Sequence, residues 1–381
     1  MDKIKICFLI RRLNDGGAQR QLLSLISGLD KARFGITVMT FYSGGRFSDE
    51  LKQFPSVEHI TLIKKRRWDV VCFLFHLTKQ IRRSAPDILH GYLGTSNILT
   101  VFLKPLLRRT QIVWGIRASN MDLSQYDWLA RLHYRLECFL ARFADLIIVN
   151  SFAGLSYHCL NGFPKERMIV IPNGIDTEQF TPDPCGRRRV RTEWGIEDDK
   201  KLIGLVGRLD PIKDHPTFLK AAALLLEKRS DVRFVIVGDG PQPYKQKLQN
   251  LSQNLGLTRQ LIWGGARSDM SAVQNAFDIA ALSSTSEGFP NVVGEAMACG
   301  VPCVVTDVGD SKWIIGDTGI VVSPGDPLAL SRAWQAMIPN LNDLQARLGE
   351  KTRLRIVEHF GIDTLISKTE EALTSLVRAY Q

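Results

Sequence analysis

Two glutamates eight residues apart, Glu287 and Glu295 in SEGFPNVVGEAMACG (Ser286–Gly300), carry the most specific chemical pattern in the chain. Gly288, Phe289 and Pro290 read as a turn, with Pro290 at the first position of a helix of roughly ten residues that Gly300 ends. Amides of Asn291, Val292 and Val293 are then expected to point outward at a positive helix end, a ready site for phosphate. Glu295 follows one turn beyond Asn291, and Glu287 lies in the loop before the helix. A carboxylate beside a diphosphate is repelled unless it bonds something neutral, and sugar hydroxyls flank the diphosphate of a nucleotide sugar on both sides. Glu295 is therefore expected to hold a ribose and Glu287 a transferred sugar. An exposed helix residue or a dipole-favoured charge would explain either glutamate alone, but not the turn, helix and both carboxylates together.

Other strand ends offer matching chemistry. GLVGRLDPIKD places Arg208 just past an apolar run and Lys213 five residues on, across Pro211. A guanidinium and an ammonium from one loop neutralise a diphosphate, and stabilise it more as it leaves and gains charge. Near the start, Gly16 and Gly17 precede a helix and allow close backbone approach to an anion, or simply make a tight turn. The pattern is not G-x-G-x-x-G, so it does not indicate a dinucleotide site. VGDGP, with Gly238, and GGARSD, with Gly265, Ala266 and Arg267, are further strand ends that can offer main-chain groups to a base.

These residues need a scaffold that brings strand ends together. The 381 residues suffice for two domains, and 45% hydrophobic residues suit two packed cores. Apolar β-branched runs recur with helix-length intervals: IKICFLI, ITVMTFY, DILHGYL, IVWGI, LIIVNS and IVIPNG, then LIGLVGR, RFVIVGDG, LIWGG, IAALSS, PCVVTD and IVVSPG. Such a pattern indicates α/β architecture with two doubly wound parallel sheets, whose ligands bind outside the carboxyl ends of the strands, in a cleft between the domains. The break falls near TEQFTPDPCGRRRVRTEWG, where the run Arg187–Arg191 reads as a solvated linker face.

Charge and cysteine content narrow the classes. Residues 1–180 carry 25 Lys and Arg against 15 Asp and Glu, while the remainder is balanced, so the whole +10 excess lies in the front half. No helix-turn-helix, zinc-finger or RNP-type pattern accompanies it, which disfavours nucleic acid and leaves an anionic membrane, a phosphate-bearing acceptor or a plain solvated surface. Seven cysteines without zinc-ligand spacing predict neither disulfides nor a metal site; Cys299 and Cys303 read as a helix end and a strand start. No apolar run is long enough to span a bilayer and the start enters a strand directly, so a cytoplasmic location is the expectation.

With these motifs the chain resembles the retaining glycosyltransferases of GT-B fold, specifically glycosyltransferase family 4 (group 1). The resemblance runs through DGGAQR, IPNGIDTEQFTP, GRLDPIK, VGDGP and SEGFPNVVGEAMACGVPCVVTDVG with its E-x7-E, across nearly the whole length. It implies an N-terminal acceptor-binding domain at 1–178, completed by a C-terminal helix at about 362–381, and a nucleotide-sugar-binding domain at 179–361. It further implies Arg208 and Lys213 on the diphosphate, Glu295 on ribose, and Glu287 with the loop that follows it, Gly288, Phe289, Pro290, Asn291 and Val292, on the donor sugar through the loop amides. Gly16 and Gly17 would approach the phosphates from the other side.

Many family members carry His-x-His where this chain has ILHGYL, so His90 matches the first histidine and Tyr92 replaces the second; Arg117 stands where a histidine is common. The resemblance implies same-face substitution in which the departing diphosphate takes the acceptor's proton. The alternative, a double displacement, needs a nucleophilic carboxylate beside the anomeric carbon and a second acid nearby. Asp-x-Asp does not occur in the chain, so no metal is expected. UDP is the expected nucleotide from family frequency, and the acceptor a glycan or lipid-linked glycan of cell-surface polysaccharide or lipopolysaccharide. Lys64–Arg83 and the helix DWLARLHYRLECFLARF mix Arg131, Arg135 and Arg142 with Trp68, Phe73 and Phe75, which suits a peripheral position at an anionic membrane. A GT-B epimerase or phosphorylase, or a non-catalytic nucleotide-sugar sensor, would share the fold.

Overall fold

The computed structural model describes residues 3–14, 16–62, 70–107, 109–117 and 127–379. It divides into two compact units, Met1–Gly174 with Ile362–Gln381, and Ile175–Gly361. The chain enters and leaves the second unit at one place: Ile175 N–H donates to the Phe360 carbonyl at 2.8 Å, and Ile175 bridges Gly361. That pairing puts the boundary at Gly174, four residues before the break expected at 178.

The first unit is a seven-stranded parallel sheet of β1 (Ile4–Ile10), β2 (Phe34–Thr40), β3 (Val57–Thr61), β4 (Ile88–Tyr92), β5 (Gln111–Ile116), β6 (Leu146–Val149) and β7 (Met168–Val170), in the order β3-β2-β1-β4-β5-β6-β7. Continuous burial along β1, β4 and β5 explains why they read as unbroken apolar runs: both faces are covered. Helices α1 (Gly17–Gly28) and α2 (Arg46–Leu51) share one core with the sheet. On the other face lie α3 (Val70–Ser84), α4 (Gly94–Leu103), α5 (Trp128–Leu140) and α6 (Phe152–Leu160).

The second unit opens with α7 (Pro184–Glu193). Its parallel sheet comprises β8 (Lys201–Val206), β9 (Val232–Val237), β10 (Leu261–Gly265), β11 (Ile279–Leu282), β12 (Cys303–Thr306) and β13 (Ile320–Val322), ordered β10-β9-β8-β11-β12-β13. Its further helices are α8 (His215–Leu226), α9 (Gln242–Asn254), α10 (Met270–Ala276), α11 (Asn291–Ala298), α12 (Ser311–Ile315), α13 (Pro327–Met337) and α14 (Leu341–Phe360). The last helix, α15 (Ile362–Arg378), returns to the first unit. There Leu365 and Leu373 join the core of α1, and the Glu370 carboxylate accepts from Asp30 N–H at 2.7 Å and from Arg33 at 2.9 Å.

One expectation is corrected here. The arginine run is not a solvated linker face but the body of α7, which Asp183 caps by accepting from Gly186 N–H at 2.9 Å. Arg187 and Arg191, one turn apart, both reach the buried Asp278, at 2.8 and 3.0 Å. The same carboxylate accepts from Leu202 N–H at 2.7 Å, so three donors from α7 and β8 meet on one acid.

Candidate donor site at the strand-order reversal of the second unit

Strand order in the second sheet reverses between β8 and β11, which are hydrogen-bonded neighbours. Chains leaving the carboxyl ends of two such strands part in opposite directions and open a crevice between them. The loop after β8 carries Arg208 and Lys213; the loop after β11 carries Ser283 to Pro290. Asp214 adopts a left-handed conformation (φ 45°, ψ 51°) that turns the chain sharply into α8. The two loops are then pinned together: Thr285 N–H donates to Ile212 O at 2.9 Å, and Ser283 Oγ to Lys213 O at 2.8 Å.

Lys213 and Glu287 consequently meet. Lys213 Nζ lies 2.6 Å from Glu287 Oε1, with the two side chains 19% and 11% exposed. Ser284 Oγ donates to the same oxygen at 2.6 Å. The sequence reading gave these residues separate tasks, one on phosphate and one on sugar; the structure makes them one neutralised unit. An ammonium has three N–H donors, so Lys213 can hold Glu287 and still address an anion. Arg208, by contrast, has an 80% exposed side chain, with a long 3.4 Å contact to Asp210.

The loop after β11 is fixed from behind. Phe289 is buried, its ring 5.6 Å from that of Phe360, so it anchors the turn to the core. Gly288 O accepts from Asp310 N–H at 2.9 Å. Gly309 (φ 56°) lies so close that a Cβ there would sit 2.5 Å from the carbonyl oxygens of Glu287 and Gly288. Two details of the expected helix are corrected. Pro290 precedes the helix instead of starting it, and α11 has eight residues, not ten. Val293 N–H donates to Pro290 O at 3.1 Å, so the first turn closes on that carbonyl and withdraws one of the three amides expected to face a phosphate. Asn291 and Val292 open the helix, and Glu295 sits half-buried one turn on.

VGDGP is shaped by the neighbouring loop. A Cβ on Gly238 (φ 146°) would fall 1.9 Å from Gly207 O, so only glycine lets the two strand ends lie together. Gly238 N–H donates to Gly265 O at 2.8 Å, which spends that amide inside the protein. Ala266 is exposed, but Arg267 is engaged by Glu193 and, at 2.9 Å from both Nε and Nη2, by Asp269. These contacts brace α7 against the loop before α10.

The first unit places its candidates at its own strand-order reversal, between β1 and β4. Gly17 starts α1, and Gly16 before it is extended (φ 172°). A Cβ on Gly16 would meet only the mobile end of Gln19. Gln21, which the sequence reading missed, grips both backbone groups of Gly174 through its side-chain amide, at 2.8 and 2.9 Å. His90 is 1% exposed, with its ring 5.1 Å from Phe8 and 5.7 Å from Tyr92. In this arrangement it is a buried histidine packed between two aromatic rings. Arg117 lies over the Tyr92 ring at 5.1 Å and donates to Asn173 Oδ1 at 2.8 Å.

Burial, helped by Arg117, holds His90 at a pKa of about 3; burial, helped by Lys213, holds His215 at about 4. Among the described residues neither ring nitrogen of either histidine has a partner. A histidine whose pKa is depressed by folding takes up protons more readily when unfolded, so stability is lost as pH falls from about 6.5 towards 3 to 4. The urea midpoint is expected to drop through that window, and the drop to shrink in His215→Gln; an unchanged slope would remove this assignment.

Family models match both halves: "Glycosyltransferase Family 4" over residues 15–179 and "Glycosyl transferases group 1" over residues 186–355. The chain is a group 1 glycosyltransferase. Curated relatives agree. A UDP-Gal:alpha-D-GlcNAc-diphosphoundecaprenol alpha-1,3-galactosyltransferase of Escherichia coli is 25% identical over 98% of both chains. A putative glycosyltransferase, EpsF, of Bacillus subtilis is 24% identical over 80% of this chain and 79% of its own. The crystal structure of Anabaena HepE in complex with UDP matches 97% of this glycosyltransferase and 100% of its own chain, with a TM-score of 0.84 and 24% identity. The fold is GT-B.

Proposed function

We propose that this glycosyltransferase moves a sugar from a UDP-sugar to a hydroxyl of a glycan or lipid-linked glycan, with retention at the anomeric carbon, in building cell-surface polysaccharide or lipopolysaccharide. The observation that carries the donor reading is the Lys213–Glu287 pair beside an exposed Arg208 at the reversal between β8 and β11. Names of relatives support the substrate class: the Escherichia coli enzyme uses UDP-Gal and a diphosphoundecaprenol acceptor, and HepE was crystallised with UDP.

In this reading Arg208 and Lys213 take the diphosphate, with the amides of Asn291 and Val292 beside it. Glu295 holds the ribose, and Glu287, fixed by Lys213 and Ser284, presents its carboxylate to a sugar hydroxyl. The acceptor oxygen forms its bond to the anomeric carbon on the face from which UDP leaves. The bond to the diphosphate oxygen breaks, and that oxygen takes the acceptor's proton while the two cations stabilise its charge. Positive charge from side chains is the reason no metal is invoked. The first unit would hold the acceptor, and its basic surface would keep the enzyme peripherally at the cytoplasmic face of an anionic membrane. Among the described residues, no helix is long and apolar enough to cross a membrane.

Mass-spectrometric screening of nucleotide sugars for slow hydrolysis identifies the donor before any acceptor is known, and NMR of the product reads retention. Glu295→Ala is expected to weaken donor binding about tenfold, equivalent to about 1.4 kcal/mol, with turnover little changed. Glu287→Gln is expected chiefly to lower turnover. Full activity in both variants refutes the assignment.

A further inference from the structure

Large hydrophobic side chains exposed on the first unit are not scattered. All twelve found among its described residues lie on α3 to α6 or on the turns directly after them, whereas α1, α2 and α15 on the opposite face carry none. Helix α5 concentrates them. Trp128, Leu132, Leu136 and Phe139 are 74%, 53%, 38% and 52% exposed. At 3.6 residues per turn these four fall within about 80° of arc, one stripe along the helix. Tyr134 and Glu137 point the other way and are buried, as is Leu140 at the end of the helix.

The charges around the stripe are one-sided. Arg131 and Arg135 are exposed along its edge, and Arg142 follows the helix. The carboxylates of residues 70–160, among those described, are already engaged. Asp87 accepts from Lys5 N–H at 2.8 Å, Asp127 caps α5 through Ala130 N–H at 2.7 Å, and Asp145 lies between Lys104 and Ile112 N–H at 2.7 and 2.8 Å. Glu137 is buried against Asn97 at 3.2 Å. Lys104 also donates to Phe143 O at 2.8 Å, which ties the end of α4, with exposed Phe102 and Leu106, to the end of α5.

We propose that this face, the α5 stripe continued by Phe102 and Leu106, seats the first unit in the headgroup–acyl boundary of an anionic lipid bilayer. It rests on the membrane address proposed above and states where that membrane is met. An exposed tryptophan, an aliphatic stripe and flanking arginines are what an interfacial helix needs: apolar area to insert and cations for anionic headgroups. A two-fold pairing of copies through the same face would bring arginine flanks against arginine flanks, which disfavours it.

Flotation of the full chain with phosphatidylglycerol/phosphatidylcholine vesicles and with phosphatidylcholine vesicles tests this. The wild type is expected to float with the anionic vesicles only. Trp128→Ser/Leu132→Ser and Arg131→Gln/Arg135→Gln are each expected to lower the bound fraction at least tenfold, with thermal unfolding unchanged because these side chains are outside the core. If the wild type floats and both variants float equally well, the assigned face is wrong while the membrane address stands. If the wild type floats with neither vesicle, both fall. A dimer in sedimentation that Trp128→Ser/Leu132→Ser converts to monomer would make the face a contact between copies and overturn the proposal.

Discussion

Replacing Lys213 with alanine is expected to lower kcat/KM for sugar transfer at least about a hundredfold, because two effects combine. The first, in the mechanism proposed above, is loss of a cation at the point where charge would develop on the leaving diphosphate; removing one such preorganised donor typically costs 10²–10³ in rate. The second concerns Glu287, whose side chain is 11% exposed and whose Oε1 sits 2.6 Å from the ammonium. Without Lys213 that carboxylate keeps the Ser284 hydroxyl but loses the ammonium, and a carboxylate beside a diphosphate repels the donor. Lys213→Arg preserves charge but not the compact point contact, so it should recover only part of the rate. Steady-state kinetics on the donor identified by hydrolysis checks this. A Lys213→Ala variant within a factor of three of the wild type would show that the pair is structural only. The double variant with Glu287→Gln separates the two effects, since it removes the uncompensated carboxylate and leaves only the missing cation.

Much of this was legible in the sequence, and the exceptions have physical causes. Twelve strands were readable as short β-branched apolar runs, most plainly β1, β4, β5 and β11, which are buried along nearly their whole length. The thirteenth, β3, was missed: VEHIT is a half-exposed edge strand paired with β2, and with only Val57 and Ile60 apolar it forms no apolar run. Sequence gives strands but not their lateral order, so the adjacency of β8 and β11, which brings Lys213 to Glu287, could not be seen from two motifs 74 residues apart. Seryl hydroxyls just before Glu287 were the available signal, since short polar side chains at a strand end often fix the loop that follows. Arg267 was read as a strand-end residue and His90 as the first histidine of the family's His-x-His; neither motif shows that Arg267 bonds two carboxylates or that His90 packs among aromatic rings. On the basic surface, Trp68 lies outside the described residues and Phe73 is core, while the stripe on α5 went unread because its arginines drew attention from the leucines between them.

The arginine run of α7 was misread for a related reason: clustered cations are usually solvated, but Arg187 and Arg191 are spaced i, i+4 behind an Asp-Pro cap, the spacing that aims two side chains at one target. The target, Asp278, supports the second largest expected effect. Asp278→Ala should destabilise the second unit by about 3–5 kcal/mol, the loss typical of breaking a buried ion pair from one side. Arg191 is 7% exposed and would keep its charge with only backbone carbonyls around it, those of Ala276, Glu197 and Lys200. Leu202 N–H, at the start of β8, would lose its acceptor as well. Against a total stability of about 5–15 kcal/mol such a loss is a large share, and urea denaturation should register it as a clear fall in midpoint. Asp278→Asn keeps an acceptor for Leu202 and should fall less far. The exposed Lys351–Asp317 pair provides the contrast, because Asp317→Ala removes a bridge whose partners are 57% and 74% exposed and should leave the urea midpoint nearly unchanged. Equal effects in the two variants would overturn the reading of Asp278 as a clamp. Catalysis in the folded fraction should survive Asp278→Ala: the acid stands just before β11, and the four residues of that strand, about 13 Å at 3.3 Å each, separate it from the loop that delivers Glu287 to Lys213.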